Sequence, residues 1–235
     1  MPPTLDLSLV VPAHDEVENL ERVVSEVHSA LDPTALRWEL VIVDDGSTDG
    51  SAALLDRLAA SEPRLRVVKL AQQSGQTAAL RAGFEVVAGR LIATMDADLQ
   101  CPPSDLPLLL EALGDADMAC GVRTGRRDPP SRKLASTLAN GARRLFLAPD
   151  LRDLAGPLRV FRRDALVHVT TRWPLFDGAH RWLPALFQLA GLHVVQRPVS
   201  HLPRTAGTSN YTTRGRLLPI GRELIQVLHL RTARR

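Results

Sequence analysis

A chain of 235 residues that is 45% hydrophobic, 23% charged and only 4% aromatic can bury a core of its own and fits one large α/β domain better than two independent ones. Its formal net charge of +3 conceals an opposition: the first 120 residues carry 8 Lys+Arg against 20 Asp+Glu, the remainder 21 against 6. The first part is therefore suited to a cation and the second to an anion such as phosphate or a membrane surface, while the few aromatics and the lack of a recognised binding motif argue against nucleic acid.

In chain order, "LDLSLVVPA" (5–13), "WELVIVDD" (38–45), "RVVKL" (66–70), "LIATMDAD" (91–98) and "ADMACGVR" (116–123) read as strands. Several are apolar on both faces, as a parallel sheet requires. Residues 17–31, 49–60, 76–88 and 104–113 read as helices between them. That βαβ series predicts an α/β fold with a mostly parallel central sheet and helices on both faces. Beyond 123 the expected elements are a helix over 131–147, a β run over 156–164, a helix over 178–190, a strand over 193–202, a Gly/Ser/Thr loop over 204–215 and a last helix from Pro219.

Three further properties bound the location. The N-terminus does not read as a signal peptide. The longest charge-free stretch, 182–196, is broken by Pro184 and Gly191 and is too short to span a bilayer. Cys101 and Cys120 show neither metal-type spacing nor a disulfide framework. A cytoplasmic protein, peripheral at the cytosolic face of a membrane, is expected.

Open α/β sheets bind ligands at the carboxyl ends of their strands, and there the sequence places "PAHDE", "VDDGSTDG", "DADLQ" and "GVRTGRR". No glycine fingerprint for a dinucleotide and no P-loop is present. Asp96 and Asp98 would share one side of an extended strand, with Gln100 on the same face. Two such carboxylates, to which Gln100 could add an amide oxygen as a third metal ligand, suit Mg2+ or Mn2+, hard cations that bridge protein oxygens to substrate phosphates; a solvated strand end is the plainer alternative.

Arg123, Arg126, Arg127, Arg132 and Lys133 then cluster within eleven residues, where a helix N-terminus also favours phosphate. A hydroxyl nucleophile needs a general base, whereas a phosphate monoester is already mostly ionised at neutral pH. After residue 120 only six acids remain, Asp128, Asp150, Asp153, Asp164, Asp177 and Glu223. Asp177, His180 and Arg181 in "FDGAHRW" fit either a site or a capped helix. "PIGRELIQVLHL" places Ile220, Leu224, Val227 and Leu228 on one stripe amid arginines, suited equally to a membrane interface and to the core.

Six segments occur in order: "VVPAHDEVENL", "ELVIVDDGSTDGS", "QQSGQTAALRAGF", "MDADLQCPP", "DLAGPLRVFRRD" and "HLPRTAGTSNY". Together they resemble the glycosyltransferase family 2 enzymes, within them the dolichyl-phosphate mannose synthase-like group that glycosylates polyprenyl phosphates, over residues 7 to about 215. The resemblance implies a GT-A type nucleotide-diphospho-sugar transferase fold, a divalent metal (Mg2+ or Mn2+), a nucleoside-diphosphate sugar donor linked to GDP or UDP, and inversion at the anomeric carbon.

By position, Pro12, His14 and Glu16 match the first nucleotide-contact motif, and Val43, Asp44 and Asp45 the segment for base and ribose. Asp96, Ala97, Asp98 and Gln100 match the metal and diphosphate motif. Arg123, Arg132 and Ser136 align with residues that hold the lipid phosphate, Asp153 and Arg159 with an acceptor-side motif, and Arg204 and Asn210 with a late loop closing over the donor. Three positions depart from the pattern: His14 replaces a usual tyrosine, Asn210 a usual lysine, and Pro157 a usual small polar residue.

The expected organisation is a single domain over 1–215, with 1–123 binding the nucleotide sugar and 124–215 facing the acceptor, followed by a basic amphipathic helix and tail over 216–235. The implied activity is sugar transfer to a polyprenyl phosphate, with that helix or a membrane-protein partner bringing the lipid within reach. Two alternatives are transfer to a saccharide hydroxyl, which would need Asp153 or Asp177 as base, and a catalytically silent nucleotide-sugar-binding subunit.

Overall fold

In a computed structural model the described residues are 5–123, 151–154, 156–203 and 222–230. The expected helix over 131–147, the loop over 204–215, Arg126, Arg127, Arg132, Lys133, Ser136, Arg204 and Asn210 lie outside them.

The described residues open on the predicted series: β1 (Leu5–Ala13), α1 (Val17–Leu31), β2 (Trp38–Asp44), α2 (Ser51–Ser61), β3 (Leu65–Lys69), α3 (Gln76–Val86), β4 (Gly89–Thr94), α4 (Leu106–Leu113) and β5 (Met118–Arg123). There follow β6 (Arg159–Arg162), α5 (Arg163–Arg172), α6 (Leu183–Leu189), β7 (Val194–Val199) and a helix over 222–230, α7. Seven strands form one sheet in the order β3-β2-β1-β4-β6-β5-β7. Only β6 is antiparallel to its neighbours, lying between β4 and β5 with Val160 opposite both Ala93 and Ala119.

Both faces of the sheet are covered. On one, Leu7, Leu9 and Val11 of β1 meet Leu20, Val23, Val27 and Leu31 of α1, a three-and-four spacing that puts all four on one helical stripe. On the other, Val10, Val41 and Val43 meet Ala79 and Leu80 of α3 and the buried faces of α5, α6 and α7. Because β2 is sandwiched between the layers, all seven of its residues are buried. That is why its sequence is almost continuously apolar.

Glu39 is the polar exception within β2 before its terminal Asp44, and is 5% exposed. Its Oε1 accepts the Ser8 hydroxyl at 2.6 Å and the Ala88 N–H at 2.7 Å, while Ser8 Oγ accepts the Gly89 N–H at 2.8 Å. The carboxylate thus ties β1, β2 and the start of β4 together. Glu39→Ala is expected to leave the Ala88 amide and Ser8 hydroxyl without partners inside the sheet, costing about 2–4 kcal/mol; a urea midpoint equal to wild type would contradict this.

Four boundaries differ from the sequence expectation. The fourth strand ends at Thr94, so Asp96 and Asp98 lie in a turn rather than on one side of a strand; Leu99 follows with φ +54°. The β run over 156–164 contracts to Arg159–Arg162, and α5 begins at once. Its β-branched stretch "VHVTT" hides a helix that forms because Ala165, Leu166 and Val169 bury against the sheet. Residues 178–190 divide into a 3-10 turn at Ala179–Arg181 and α6, and the 193–202 strand narrows to β7. In α7, Val227 is fully buried and Leu224 and Leu228 pack on the same core, so these three residues of the expected stripe serve the core; Ile220 lies outside the described residues.

Candidate active site

The carboxyl ends of β1, β2, β4 and β5 converge, and two of the loops there are built by carboxylates. After β1, His14 donates Nδ1–H to the Asp45 carbonyl at 2.8 Å. Asp15 adopts φ +53°, a region that aspartate tolerates better than most residues, and its Oδ1 accepts the Thr48 N–H at 2.7 Å. The Glu16 N–H donates to Ser51 Oγ at 3.2 Å. Asp44 and Asp45 are 3% and 4% exposed. Asp44 accepts the Ser47 N–H at 3.1 Å; Asp45 accepts the Ser74 and Gly75 N–H groups at 2.7 and 2.8 Å. Val43 is buried in the second core. Asp44 and Asp45 therefore fix the rim loops, and Pro12 lines the cavity those loops border.

Beyond β4 stand Asp96 and Asp98, the latter 9% exposed, with Ala97 buried between them. Asp96 Oδ1 accepts Gln76 Nε2–H at 2.7 Å from the start of α3. Asp98 Oδ1 accepts the Gln100 backbone N–H at 3.1 Å, and the Gln100 side-chain amide donates to the Leu202 carbonyl at 3.3 Å. Burial, and then the charge of Asp98, push the Asp96 pKa up to about 6, against the opposing pull of Arg159 and Arg123.

A carboxylate whose ionisation is opposed by burial and by a neighbouring carboxylate favours a divalent cation beside it. Among the described residues no group of three or more His, Cys, Asp or Glu side chains could hold a metal by itself, so this pair fits an ion that takes its remaining oxygens from a phosphate group and water. Cys101 and Cys120 are buried thiols whose pKa burial pushes up to about 12; they are suited to packing rather than to ligation.

On the other side of Asp96 lie the arginines. Arg123, at the end of β5, makes a two-pronged pair with Asp153: Nε–Oδ2 at 2.9 Å and Nη2–Oδ1 at 3.1 Å. Burial opposes its charge, but this pairing raises its pKa above the ordinary value. Arg159, 3% exposed, donates Nη2–H to the Leu154 carbonyl at 3.1 Å, and its buried Nε has no partner among the described residues. Burial lowers its pKa while the charge of Asp96 works the other way.

Arg159, Asp96, Gln76, His180 and Arg181 line a cavity of roughly 110 Å³. Arg181 is held by Glu223 of α7, whose Oε2 also accepts the Trp182 indole N–H at 2.8 Å.

Of the sequence-derived candidates, Pro12, Asp96, Arg123, Asp153 and Arg159 are thus near neighbours, with His14, Glu16, Asp44 and Asp45 in the adjoining loops. The structure adds Gln76 and Thr77 to the site and gives Glu223, one of the six acids after residue 120, a structural role. Gln76 and Thr77 lie inside "QQSGQTAALRAGF", at the start of α3 where the chain leaves the carboxyl end of β3, and that position is the available signal. Nothing local marks Glu223, because its partners are about forty residues away.

The model of the family described as Glycosyl transferase family 2 matches residues 8–170. Among curated proteins, the dodecaprenyl-phosphate galacturonate synthase of Rhizobium johnstonii is 36% identical over 216 residues, covering 88% of this chain and 62% of that protein. The undecaprenyl-phosphate 4-deoxy-4-formamido-L-arabinose transferase of Edwardsiella ictaluri is 34% identical over 211 residues, covering 87% and 62%. The chain spans about 62% of the length of these relatives.

Among solved structures, glucosyl-3-phosphoglycerate synthase from Mycobacterium tuberculosis with Mn2+, UDP and glucosyl-3-phosphoglycerate superposes with a TM-score of 0.66 at 22% identity, covering 97% of this chain and 80% of that one. A mannosyltransferase from Pyrobaculum calidifontis with GDP-Man and Mn2+ gives 0.63 at 19% identity, covering 87% and 59%. At these identities the likeness establishes the fold alone, the GT-A type nucleotide-diphospho-sugar transferase fold.

Proposed function

The chain belongs to glycosyl transferase family 2, and from that premise we propose that it transfers a sugar from a nucleoside-diphosphate donor, GDP- or UDP-linked, to a polyprenyl phosphate, with Mg2+ or Mn2+ as cofactor. The observation that carries the proposal is the arrangement around Asp96: a carboxylate pair suited to a divalent ion on one side, and Arg123, Arg159 and Arg181 on the other. Both curated relatives described above are named for polyprenyl-phosphate sugar transfer, and both solved structures described above contain Mn2+ with a nucleotide.

In this reading Asp96 and Asp98 hold the metal, and Gln100 positions Asp98 through its backbone N–H. When bound, the ion would act as a Lewis acid on the diphosphate leaving group. Pro12, His14, Glu16, Asp44 and Asp45 shape the nucleoside side. Arg123 and Arg159 face the acceptor, and Asp153 fixes the Arg123 fork by its two bonds. Arg132, Ser136, Arg204 and Asn210 join these roles by resemblance alone.

A phosphate nucleophile fits the acids found beside the cavity among the described residues. Asp153 is engaged by Arg123 and Glu223 by Arg181 and Trp182, and Asp177 is exposed and does not line the cavity. A sugar hydroxyl would need a base there, whereas a phosphate monoester arrives already charged.

Among the described residues no helix is long and apolar enough to cross a membrane. A peripheral position at the cytosolic face, with or without a membrane-protein partner, is part of the proposal. The test is a panel of GDP- and UDP-sugars with a short polyprenyl phosphate and Mg2+ or Mn2+. Lipid-linked sugar is the expected product with at least one donor. Glycosylation of a soluble saccharide with no lipid product would overturn the acceptor, and nucleotide-sugar binding without turnover on either acceptor would overturn the activity.

A further inference from the structure

The cavity beside Asp96 holds a histidine whose chemistry is set by a residue 103 positions away in the chain. Thr77 Oγ1 accepts the Gly178 N–H at 3.0 Å and lies 2.7 Å from His180 Nδ1. The backbone N–H can only donate, and among the described residues Nδ1 is the one acceptor shown for the Thr77 hydroxyl proton, so the hydroxyl is assigned as donor to Nδ1. Nδ1 is then the acceptor nitrogen, and the ring proton sits on Nε2.

Burial, reinforced by Arg181 and Arg159, pushes the His180 pKa down to about 3, so the ring stays neutral through the physiological range. An imidazole with Nδ1 occupied and Nε2 protonated has no lone pair with which to take a proton from an acceptor. It can only donate a hydrogen bond. Its neighbour in the cavity wall, Arg159, has a buried Nε–H without a partner among the described residues.

We propose that His180 reads the transferred sugar: held by Thr77 as the Nε2–H tautomer, it donates to a sugar oxygen lodged in the cavity between Asp96 and Arg159. The assignment rests on the functional reading above. The cavity, roughly 110 Å³, is several times what one water needs, enough for a sugar edge with its substituents. Pro12, Leu80, Met95 and Pro157 supply its apolar walls, which suit the C–H face of a pyranose, while Nε2–H selects for an acceptor oxygen. His180 is in this account a specificity residue, neither an acid nor a base.

The experiment compares, by calorimetry with Mn2+ present, the affinity for UDP and GDP with that for UDP-glucose and GDP-mannose, adding whichever donor the activity panel accepts. The extra affinity conferred by the sugar is the readout. His180→Ala is expected to leave nucleoside-diphosphate affinity as in wild type and to lower sugar-nucleotide affinity about tenfold, the size of one buried neutral hydrogen bond. His180→Gln, which keeps an N–H donor, is expected to recover part of it. Thr77→Val, which preserves shape but releases the tautomer, is expected to lose about threefold and serves where the alanine variant does not fold.

If wild type binds the nucleotides and His180→Ala or Thr77→Val keeps the whole sugar contribution, the assignment of His180 is wrong and the functional reading stands. If wild type binds no nucleotide with or without sugar, the functional reading itself falls, and the role of His180 with it.

Discussion

Asp96→Asn is expected to remove metal-dependent turnover, by about a thousandfold or more, while making the metal-free protein more stable at neutral pH. The two effects have one origin. Asparagine keeps the oxygen that accepts Gln76 Nε2–H but carries no charge, so half of the anionic pair that would hold the ion is lost, along with several kcal/mol of leaving-group stabilisation.

The same substitution relieves a cost of folding. The Asp96 pKa lies at about 6 in the folded chain against 3.8 for the free side chain, so ionisation is harder in the folded state. The penalty is absent below pH 3.8, grows as pH rises between the two values, and is complete above about 6. Asn at this position should therefore stabilise the protein in chelator by about 3 kcal/mol at pH 7, with no gain near pH 3.5. Thermal melts at the two pH values, beside turnover with Mn2+, check both halves. A variant that melts lower than wild type at pH 7, or that retains a tenth of the activity, would refute the carboxylate-pair account.

The second large effect is expected on stability, at Glu223. This residue is 4% exposed and receives both the Arg181 guanidinium and the Trp182 indole N–H. Glu223→Ala would strand a partly buried cation and a donor in a residue that is 1% exposed. Removing one partner of such a pair costs about 3 kcal/mol, near the lower end for buried pairs because Arg181 retains some contact with water.

Gly178 reports on the same contact from the other side. Its φ is +85°, and a Cβ there would overlap the Glu223 carboxylate, so Gly178→Ala should destabilise by a separate route. The discriminating measurement is a double-mutant cycle in urea: Arg181→Met combined with Glu223→Leu is expected to be more stable than Glu223→Leu alone, since no charge is left stranded. Additive losses would mean that the pair contributes little and that α7 is held by Val227 and its apolar neighbours alone.

The parts of this fold that can be read along the chain are those whose cause is local. Strands β1, β2, β4 and β5 are covered on both faces, so their sequences are apolar nearly throughout, and the intervening helices show the spacing of a single buried stripe. The D-x-D pair was legible for the same reason: two carboxylates closing an apolar run stand out without a partner. Its geometry was not, because the strand stops at Thr94 and a turn brings the carboxylates together.

By itself the sequence determined the α/β class, the acidic first half and the basic second half, and Asp96 and Asp98 as the pair most suited to a cation, since composition, periodicity and short spacing are properties of neighbouring residues. Tertiary structure decided the rest. The insertion of β6 between β4 and β5 depends on pairing with Ala93 and Ala119, residues far from Val160 in the chain. It also joined Arg123 to Asp153, His180 to Thr77 and Arg181 to Glu223, and turned the stripe on α7 inward. Each of these joins groups thirty to about one hundred residues apart, and a tautomer, an ion pair or a buried face acquires its chemistry only when the partner arrives.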